Sequence, residues 1–276
     1  MKSNKKSKVL ILDGGGSSLK VFVQTDSGLK LKANYKGNFN VQTGEREKMI
    51  RTLSKVIKRF PTETVKLGLA GVISKKDAAW IVSSLVGEKI SVMSDVDLAF
   101  DLHFPNSDGM LAILGTGSIF VAKVGRKKIR LGGYGRVIGD AGSGYAIGQE
   151  AVRAYLQLLD GLDGLERDTV FESAMKKFFR TRESAIRKIY QEQFEVQHLV
   201  PVVFQCATRG STIATNIIDY QTSLVVRYIK ALRQRVGQEL PLCITGGLVE
   251  RETCYSMILK EKLKQHHISS YHNGLS

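Results

Sequence analysis

Residues 13–18, which read Asp-Gly-Gly-Gly-Ser-Ser, carry the groups in this chain best suited to bind an anion. They separate two apolar runs, Val9–Leu12 and Leu19–Val23. Glycines let backbone N–H groups approach anionic oxygens, the two serines add hydroxyl donors, and the aspartate can hold Mg²⁺ through water. The stretch predicts a phosphate-binding turn, and a tight turn without a ligand is the alternative. The candidate residues are Asp13, Gly14, Gly15, Gly16, Ser17 and Ser18.

This turn differs from the two commonest nucleotide loops. A Walker loop needs Gly-Lys followed by Ser or Thr at the start of a helix, and that tripeptide does not occur in the sequence. A dinucleotide fingerprint also opens a helix after its glycines. Here Leu19–Gln24 follows, which is rich in β-branched and aromatic residues. The phosphate loop is therefore expected in a β-hairpin.

A second loop of the same kind occurs after residue 109. The apolar run Met110–Leu114 leads into Gly115-Thr-Gly-Ser118, and the apolar run Ile119–Val124 follows. A Gly-Gly pair, Gly246 and Gly247, comes after the short strand pattern Pro241–Thr245. Two such hairpins suit an enzyme that grips the phosphates of a nucleotide, and the late Gly-Gly pair can pass close to a flat adenine.

The elements that position these loops follow an α/β pattern. The break Phe104–Gly109, rich in turn residues, separates the expected domains 1–105 and 106–276. Strands and helices alternate in the first domain, and the strand plan starts again after the break, which indicates an internal duplication. The expected strands are 8–13, 19–25, 28–35, 65–69, 90–93, 110–114, 119–124, 128–131 and 241–245. The expected helices are 45–59, 75–86, 95–102, 143–159, 168–178, 182–191, 195–208, 211–236 and 250–266.

Composition narrows the class of protein. A hydrophobic content of 43% and a charged content of 24% in 276 residues are those of a soluble globular chain. The apolar runs are strand-sized, and the run after the basic segment Met1–Lys8 is too short for a signal peptide. The three cysteines are too few and too scattered for disulfides or a zinc site. We expect a cytoplasmic protein.

The net charge of +15 raises the question of a nucleic-acid partner. The Lys and Arg residues are spread along the chain, apart from Met1–Lys8 and Arg126–Arg130, and the second of these resembles a hairpin turn. A basic surface also suits an enzyme of nucleotides and sugar phosphates. We therefore expect neither a nucleic acid nor a membrane as partner.

At this point the chain resembles the actin-like ATPase and sugar kinase superfamily, and within it the N-acetylglucosamine kinase-like branch of the BadF/BadG/BcrA/BcrD ATPase family. The matching motifs occur in the family's order and cover nearly the whole chain. They are Leu12–Ser18, Gly68–Gly71, Ser94–Asp95, Leu114–Ser118, Gly132–Gly135, Gly139–Gly144 and Thr245–Gly247. The resemblance implies an α/β, two-domain actin-like ATPase (ribonuclease H-like) fold with a nucleotide cleft between duplicated domains.

The resemblance also implies a role for each matching residue. Asp95 falls on the family's catalytic base, and a carboxylate at the end of the strand Ile90–Met93 suits that role, although an ordinary helix N-cap is the alternative. The implied ATP-binding residues are Asp13–Ser18, Gly115, Thr116, Gly117, Ser118, Gly246 and Gly247, with Mg²⁺ near Asp13. The implied sugar-binding residues are Asn38, Asn40, Asp95, Thr116, Tyr134, Asp140 and Gly144.

Three functions are compatible with these residues. The first is an ATP-dependent kinase that phosphorylates N-acetylglucosamine or a related hexose or hexosamine, with a homodimer as a further expectation. The second is the family's ATP-driven activator of a reductive dehydratase, which holds an iron–sulfur cluster between two subunits through paired cysteines. Cys206, Cys243 and Cys254 do not lie in glycine loops, which argues against it. The third is a sensor without turnover, which has no need of a base at Asp95.

Overall fold

The structure is a computed structural model that describes residues 8–87, 89–162, 167–268 and 271–273. All of the basic N-terminal segment except Lys8 therefore lies outside the described residues. The chain divides into two compact units, Met1–Asn106 and Ser107–Ser276. Each unit contains its own five-stranded sheet and its own cluster of buried apolar side chains.

The first unit is built on a mixed sheet with the strand order β3-β2-β1-β4-β5. Its first three strands form an antiparallel meander, whereas β1, β4 and β5 run parallel. Parallel strands need crossover connections, which helices provide. The elements are β1 (Val9–Gly14), β2 (Ser18–Thr25), β3 (Gly28–Lys36), α1 (Arg46–Arg59), β4 (Thr64–Leu69), α2 (Lys75–Ser84), β5 (Ile90–Ser94) and α3 (Asp95–His103).

The second unit repeats this sheet and adds helices. Its strand order is β10-β9-β6-β7-β8, with an antiparallel meander of β6, β7 and β8 and parallel neighbours β6, β9 and β10. The strands are β6 (Gly109–Leu114), β7 (Ser118–Val124), β8 (Lys127–Gly132), β9 (Leu242–Thr245) and β10 (Tyr271–Asn273). The helices are α4 (Gly144–Leu159), α5 (Thr169–Lys176), α6 (Arg182–Ile186), α7 (Val200–Thr208), α8 (Thr212–Val236) and α9 (Cys254–Gln265). The shared topology confirms the internal duplication.

Three expected helices differ from the structure for local reasons. The helix expected over 182–191 is α6 followed by a π-helix at Arg187–Gln191. The helix expected over 195–208 starts as a 3₁₀ turn, and α7 follows with Pro201 in its first turn, where the missing N–H costs no hydrogen bond. The helix expected from residue 250 starts at Cys254, because Thr253 and Ser256 form a capping box. The strand β10 was not expected.

A double cap joins two helices of the second unit. The carboxylate of Asp168 accepts the N–H of Phe171 at the start of α5 at 2.9 Å. It also accepts the hydroxyl of Ser211 at 2.6 Å and the N–H of Ile213 at 3.1 Å, at the start of α8. Burial raises the pKa of Asp168, but these hydrogen bonds outweigh burial and lower that pKa overall. One side chain therefore caps both helix N-termini.

Among the described residues, no helix is both long enough and apolar enough to cross a membrane.

Candidate functional site

The first glycine loop closes the hairpin of β1 and β2, as the sequence predicts. The N–H of Gly15 donates to the carbonyl of Ser18 at 2.9 Å, and Asp13 lies opposite Lys20 in the strand register. A Cβ on Gly14 would lie 2.6 Å from Leu69, so this glycine is required for packing. A Cβ on Gly15 or Gly16 would meet no atom within 4 Å. The tip of the loop therefore has open space in which anionic oxygens fit.

Asp95 lies on the same edge of the sheet as this loop. It is the first residue of α3 and follows β5 directly, and its Oδ1 accepts the N–H of Val96 at 2.9 Å. Because β1, β4 and β5 are parallel, their carboxyl ends share one edge, and those of β1 and β5 are two strand spacings, about 10 Å, apart. Helix α3 packs against β4 over Gly68, where a Cβ would lie 2.4 Å from Leu98.

The neighbouring carboxylate, Asp97, is hydrogen-bonded to the N-cap residue of α3. Ser94 is the N-cap of α3, and its hydroxyl accepts the N–H of Asp97 at 3.1 Å and donates to the Oδ2 of Asp97 at 2.8 Å. This reciprocal arrangement stabilises the first turn of α3. Asp95 also lies in the first turn of α3, where the helix N-terminus favours negative charge.

The loop between β3 and α1 places Asn38 and Asn40 in one hydrogen-bonded turn. The Oδ1 of Asn38 accepts the N–H of Asn40, and its Nδ2 donates to Thr43 at 3.2 Å. The Oδ1 of Asn40 accepts the N–H of Gln42 at 2.9 Å. The N–H of Val41 donates to Ala70, after β4, which holds this turn against the same sheet edge. Both asparagines therefore shape the turn, and their contact with a sugar stays a prediction.

The second glycine loop closes the hairpin of β6 and β7 and holds the start of α4. The N–H groups of Gly144 and Tyr145 donate to the carbonyls of Gly115 and Thr116 at 2.8 and 3.0 Å. The first two amides of α4 are therefore already paired with the loop. A Cβ on Gly115 would meet nothing within 4 Å, and the side chain of Thr116 is exposed. The loop is thus supported from behind and open at its tip.

Gly246 and Gly247 lie beside this loop, at the end of β9. Ile113 is paired with Thr245 in the parallel register of β6 and β9, so both turns leave the sheet at one edge. Gly246 has φ +109°, and a Cβ there would lie 2.4 Å from the carbonyl oxygen of Leu114. A Cβ on Gly247 would meet nothing within 4 Å. The first glycine is required for the turn, and the second leaves room for a flat group.

Asp140 joins the second glycine loop to the glycine-rich segment after β8. It is 7% exposed and has φ +63°, a conformation that Asp and Asn tolerate better than most residues. Its carboxylate accepts the backbone N–H groups of Ser118 and Gly135. Burial raises the pKa of Asp140 above its usual value, although these hydrogen bonds and the charge of Arg130 act in the opposite direction.

The raised pKa of Asp140 predicts a pH-dependent stability difference from Asp140→Asn. The folded state favours the protonated acid, so the wild type loses stability as pH rises through the ordinary value of 3.8 and the raised folded value. The amide does not titrate. We therefore expect the Tm of Asp140→Asn, relative to that of the wild type, to increase from about pH 3.5 to about pH 7. A Tm difference that is constant over this pH range would contradict the raised pKa of Asp140.

The segment between β8 and α4 leaves its central side chains in solvent. Tyr134 is 71% exposed, so one face of its ring is available for stacking, and Val137 and Ile138 are 83% and 80% exposed. The guanidinium of Arg130 donates to the carbonyl of Gly133 at 2.8 Å and fixes one end. The N–H of Gly139 donates to Gly135 at 2.8 Å and closes the segment into a loop.

Two supporting residues and one buried polar group beside the site were missed at the sequence level. The side chain of Gln221 accepts the N–H of Gly142 at 2.8 Å, and Tyr255 donates its hydroxyl to the carbonyl of Gly142 at 2.6 Å. Gln197 lies beside Gly144, and its buried Oε1 has no hydrogen-bond donor within the described part of the chain. These contacts join residues far apart in sequence, so no local pattern could have indicated them.

The structure brings the predicted residues together in two sets. In the first unit, the carboxyl edge of the sheet carries Asp13–Ser18, the turn with Asn38 and Asn40, and Asp95. In the second unit, the corresponding edge carries Gly115–Ser118 with Asp140 and Gly144, and Gly246 and Gly247. Tyr134 lies in the exposed segment next to Gly135, whose N–H Asp140 accepts.

Two α/β units that share one strand order, each with a glycine turn at the tip of its first hairpin, define the actin-like ATPase fold. A solved structure of a candidate N-acetylglucosamine kinase from Chromobacterium violaceum has this fold, with a TM-score of 0.75 and 20% identity over 98% of this chain and 95% of that one. The predicted α/β actin-like ATPase fold is confirmed. Residues 12–275 match the BadF/BadG/BcrA/BcrD ATPase family, and the chain belongs to that family.

Two relatives have similar sequences over most of their length. N-acetylmuramic acid/N-acetylglucosamine kinase from Clostridium acetobutylicum is 26% identical over 265 residues, which cover 87% of this chain and 85% of that protein. N-acetyl-D-glucosamine kinase from Dictyostelium discoideum is 27% identical over 227 residues, which cover 76% of this chain and 70% of that protein. The predicted family resemblance is therefore confirmed.

Proposed function

We propose that this protein is an ATP-dependent sugar kinase that transfers the γ-phosphoryl group to a hydroxyl of N-acetylglucosamine or a related hexose or hexosamine. The observation that carries the proposal is the position of Asp95, on the same sheet edge as the Asp13–Ser18 loop. This edge combines a carboxylate able to take a proton with a turn suited to phosphate. The two kinase relatives agree with this chemistry.

The glycine loops are assigned to the phosphates of ATP. The open space at Gly15, Gly16 and Gly115 fits oxygens that approach the backbone without a side chain in the way. Asp13, half-buried at the end of β1, fits a carboxylate that holds Mg²⁺ through water. A Mg²⁺ ion held there would neutralise negative charge on the phosphates of ATP. The open position at Gly247 suits the adenosine.

Asp95 is assigned as the general base. In the proposed step the sugar oxygen forms a bond to the γ-phosphorus, the bond from that phosphorus to the β,γ-bridging oxygen breaks, and ADP leaves. The hydroxyl proton passes to the carboxylate of Asp95. Most of the rate enhancement in phosphoryl transfer comes from positioning and charge stabilisation, which the glycine loops and a bound Mg²⁺ would provide.

The sugar-binding assignment rests on the chemistry of the residues that match the family's sugar-contacting positions. Exposed hydroxyl, amide and aromatic groups are those that recognise sugars, by hydrogen bonding and by stacking on the sugar ring. Asp140 and Gly144 are both buried, and as a sugar contact Asp140 would have to use a carboxylate oxygen that also supports the loop. The proposed set is Asn38, Asn40, Asp95, Thr116, Tyr134, Asp140 and Gly144.

The dehydratase-activator function is disfavoured by the cysteines. Cys206 and Cys243 are buried and Cys254 is half-buried, in α7, β9 and α9 respectively. Burial raises the pKa of the Cys206 and Cys254 thiols, which opposes the thiolate form that binds iron. A kinase should lose turnover when Asp95 is replaced by Asn, whereas a sensor has no turnover to lose.

The homodimer also stays a prediction, which sedimentation experiments can test.

ADP release measured over a panel of sugars tests the kinase proposal. With MgATP we expect turnover on N-acetylglucosamine, N-acetylmuramic acid, glucosamine or glucose that exceeds the sugar-free rate by at least about 100-fold. Mannitol, which has hydroxyls but no ring, is the control acceptor. Equal ADP release with every sugar and with mannitol would show an ATPase without an alcohol acceptor and contradict the proposal.

A further inference from the structure

A cationic groove in the second unit lies outside the residues assigned above. It consists of two neighbouring cavities, each of about 330 Å³, that share Lys177. The first lies between α5 and α7, and the second lies between residues 177–180 and the α6/π-helix segment. Neither cavity is lined by a residue of the glycine loops or by Asp95, Tyr134 or Asp140.

The first cavity presents polar groups that have no partner among the described residues. Lys177 and Arg209 supply two positive charges, Thr169 and Ser173 supply hydroxyls, and Gln205 supplies an amide. The nearby carboxylate of Asp168 is occupied by its contacts at the starts of α5 and α8. These donors are therefore available to one anionic group that occupies the cavity.

The second cavity continues the same charge. It is lined by Lys177, Arg180, Arg187 and Lys188. Arg187 is partly neutralised by Glu192 at 3.2 Å, and the ammonium of Lys188 lies 5.9 Å from the ring centroid of Phe194. Arg187 and Lys188 lie in the π-helix, a local irregularity that often occurs at functional sites. Arg180 has no ion pair in the described part of the chain.

We propose that this groove binds a small metabolite with two linked phosphoryl groups, one in each cavity, with Lys177 between them. Two linked phosphoryl groups match two adjoining cationic cavities, whose volumes lie in the range of small-molecule sites, about 300–1,000 Å³. A concave groove favours such a small ligand over a flat anionic membrane and over a nucleic acid, whose grooves are entered by protruding helices or strands. The site also accounts for part of the net charge of +15. It is independent of the proposed kinase activity.

Calorimetric titration with pyrophosphate tests the proposal. The double variant Lys177→Ala/Arg209→Ala is compared with Arg227→Ala/Lys230→Ala, which removes two exposed cations of α8 in the same unit. We expect the first pair to weaken the Kd by at least about tenfold and the second by less than about twofold. Ser173→Ala, which removes only a hydroxyl, should weaken it by about three- to tenfold and guards against misfolding of the double variant.

Hydrogen exchange separates this groove from the glycine loops, which could also bind pyrophosphate. We expect slower exchange in peptides covering 169–188 and 205–209, and the Lys177→Ala/Arg209→Ala variant should lose it. Protection confined to 13–18 and 115–118, equal weakening in both double variants, or no saturable binding would overturn the proposal. Tighter binding of duplex DNA than of pyrophosphate, lost in the same variant, would make the partner a nucleic acid and overturn it too.

Discussion

Asp95→Asn is expected to lower kcat on the best sugar substrate by about 10²–10⁴-fold, the range of general-base contributions. The amide cannot accept the hydroxyl proton. Its oxygen can still accept the N–H of Val96, as Oδ1 does, so α3 should start at the same residue. The affinity for nucleotide should stay within about twofold, and KM for the sugar should rise only modestly. Steady-state kinetics with both substrates varied give these values.

Asp97→Asn is the matched control, because both carboxylates lie in the first turn of α3. Asp97 is bonded to Ser94, so its substitution should reduce stability by about 1 kcal/mol and leave kcat within about threefold. If Asp95→Asn retains near wild-type turnover, the assignment of the base fails. If Asp97→Asn is the variant that loses turnover, Asp97 takes over that role.

Gly246→Ala is expected to lower the free energy of unfolding by about 3–5 kcal/mol. Two effects add up at this position. The backbone has φ +109°, which L side chains rarely adopt, and the new Cβ would lie 2.4 Å from the carbonyl oxygen of Leu114. Because Leu114 is the last residue of β6, the clash pushes apart the ends of β6 and β9. Denaturant unfolding of the two proteins measures the difference.

Gly247→Ala separates the stability of this turn from nucleotide binding. A Cβ at Gly247 meets no protein atom within 4 Å, so stability should change by less than about 1 kcal/mol. If adenosine lies against this glycine, the methyl group should raise KM for ATP by about tenfold. Equal destabilisation by the two substitutions would contradict the structure of the turn, and an unchanged KM in Gly247→Ala would contradict the adenosine assignment.

The hairpins and their loops could be predicted because their signals are local. Alternating apolar residues, a glycine turn and a second strand are adjacent in sequence, and both hairpins form within one or two residues of the expected bounds. Ser143 was also readable as the N-cap of α4, and its hydroxyl accepts the N–H of Ala146 at 3.1 Å. Short-range hydrogen bonding decides these features, so the sequence alone is enough.

The supports of the site could not be predicted because they depend on contacts between distant segments. Gln221 and Tyr255 hold Gly142 from 79 and 113 residues away, and Asp168 reaches Ser211 across 43 residues. The π-helix at Arg187–Gln191 has no recognised sequence signal, so a continuous helix was the natural expectation. The strand β10 has only three residues and depends on pairing with β9.

The central claim is that the chain transfers the γ-phosphoryl group to a sugar, and phosphorus NMR of the reaction mixture tests it most directly. With MgATP and N-acetylglucosamine, we expect a phosphomonoester resonance of the sugar to grow in equal amount with ADP, and Asp95→Asn to abolish both over the same time. Formation of inorganic phosphate without a sugar ester, or a spectrum unchanged for every sugar of the panel, would contradict the account.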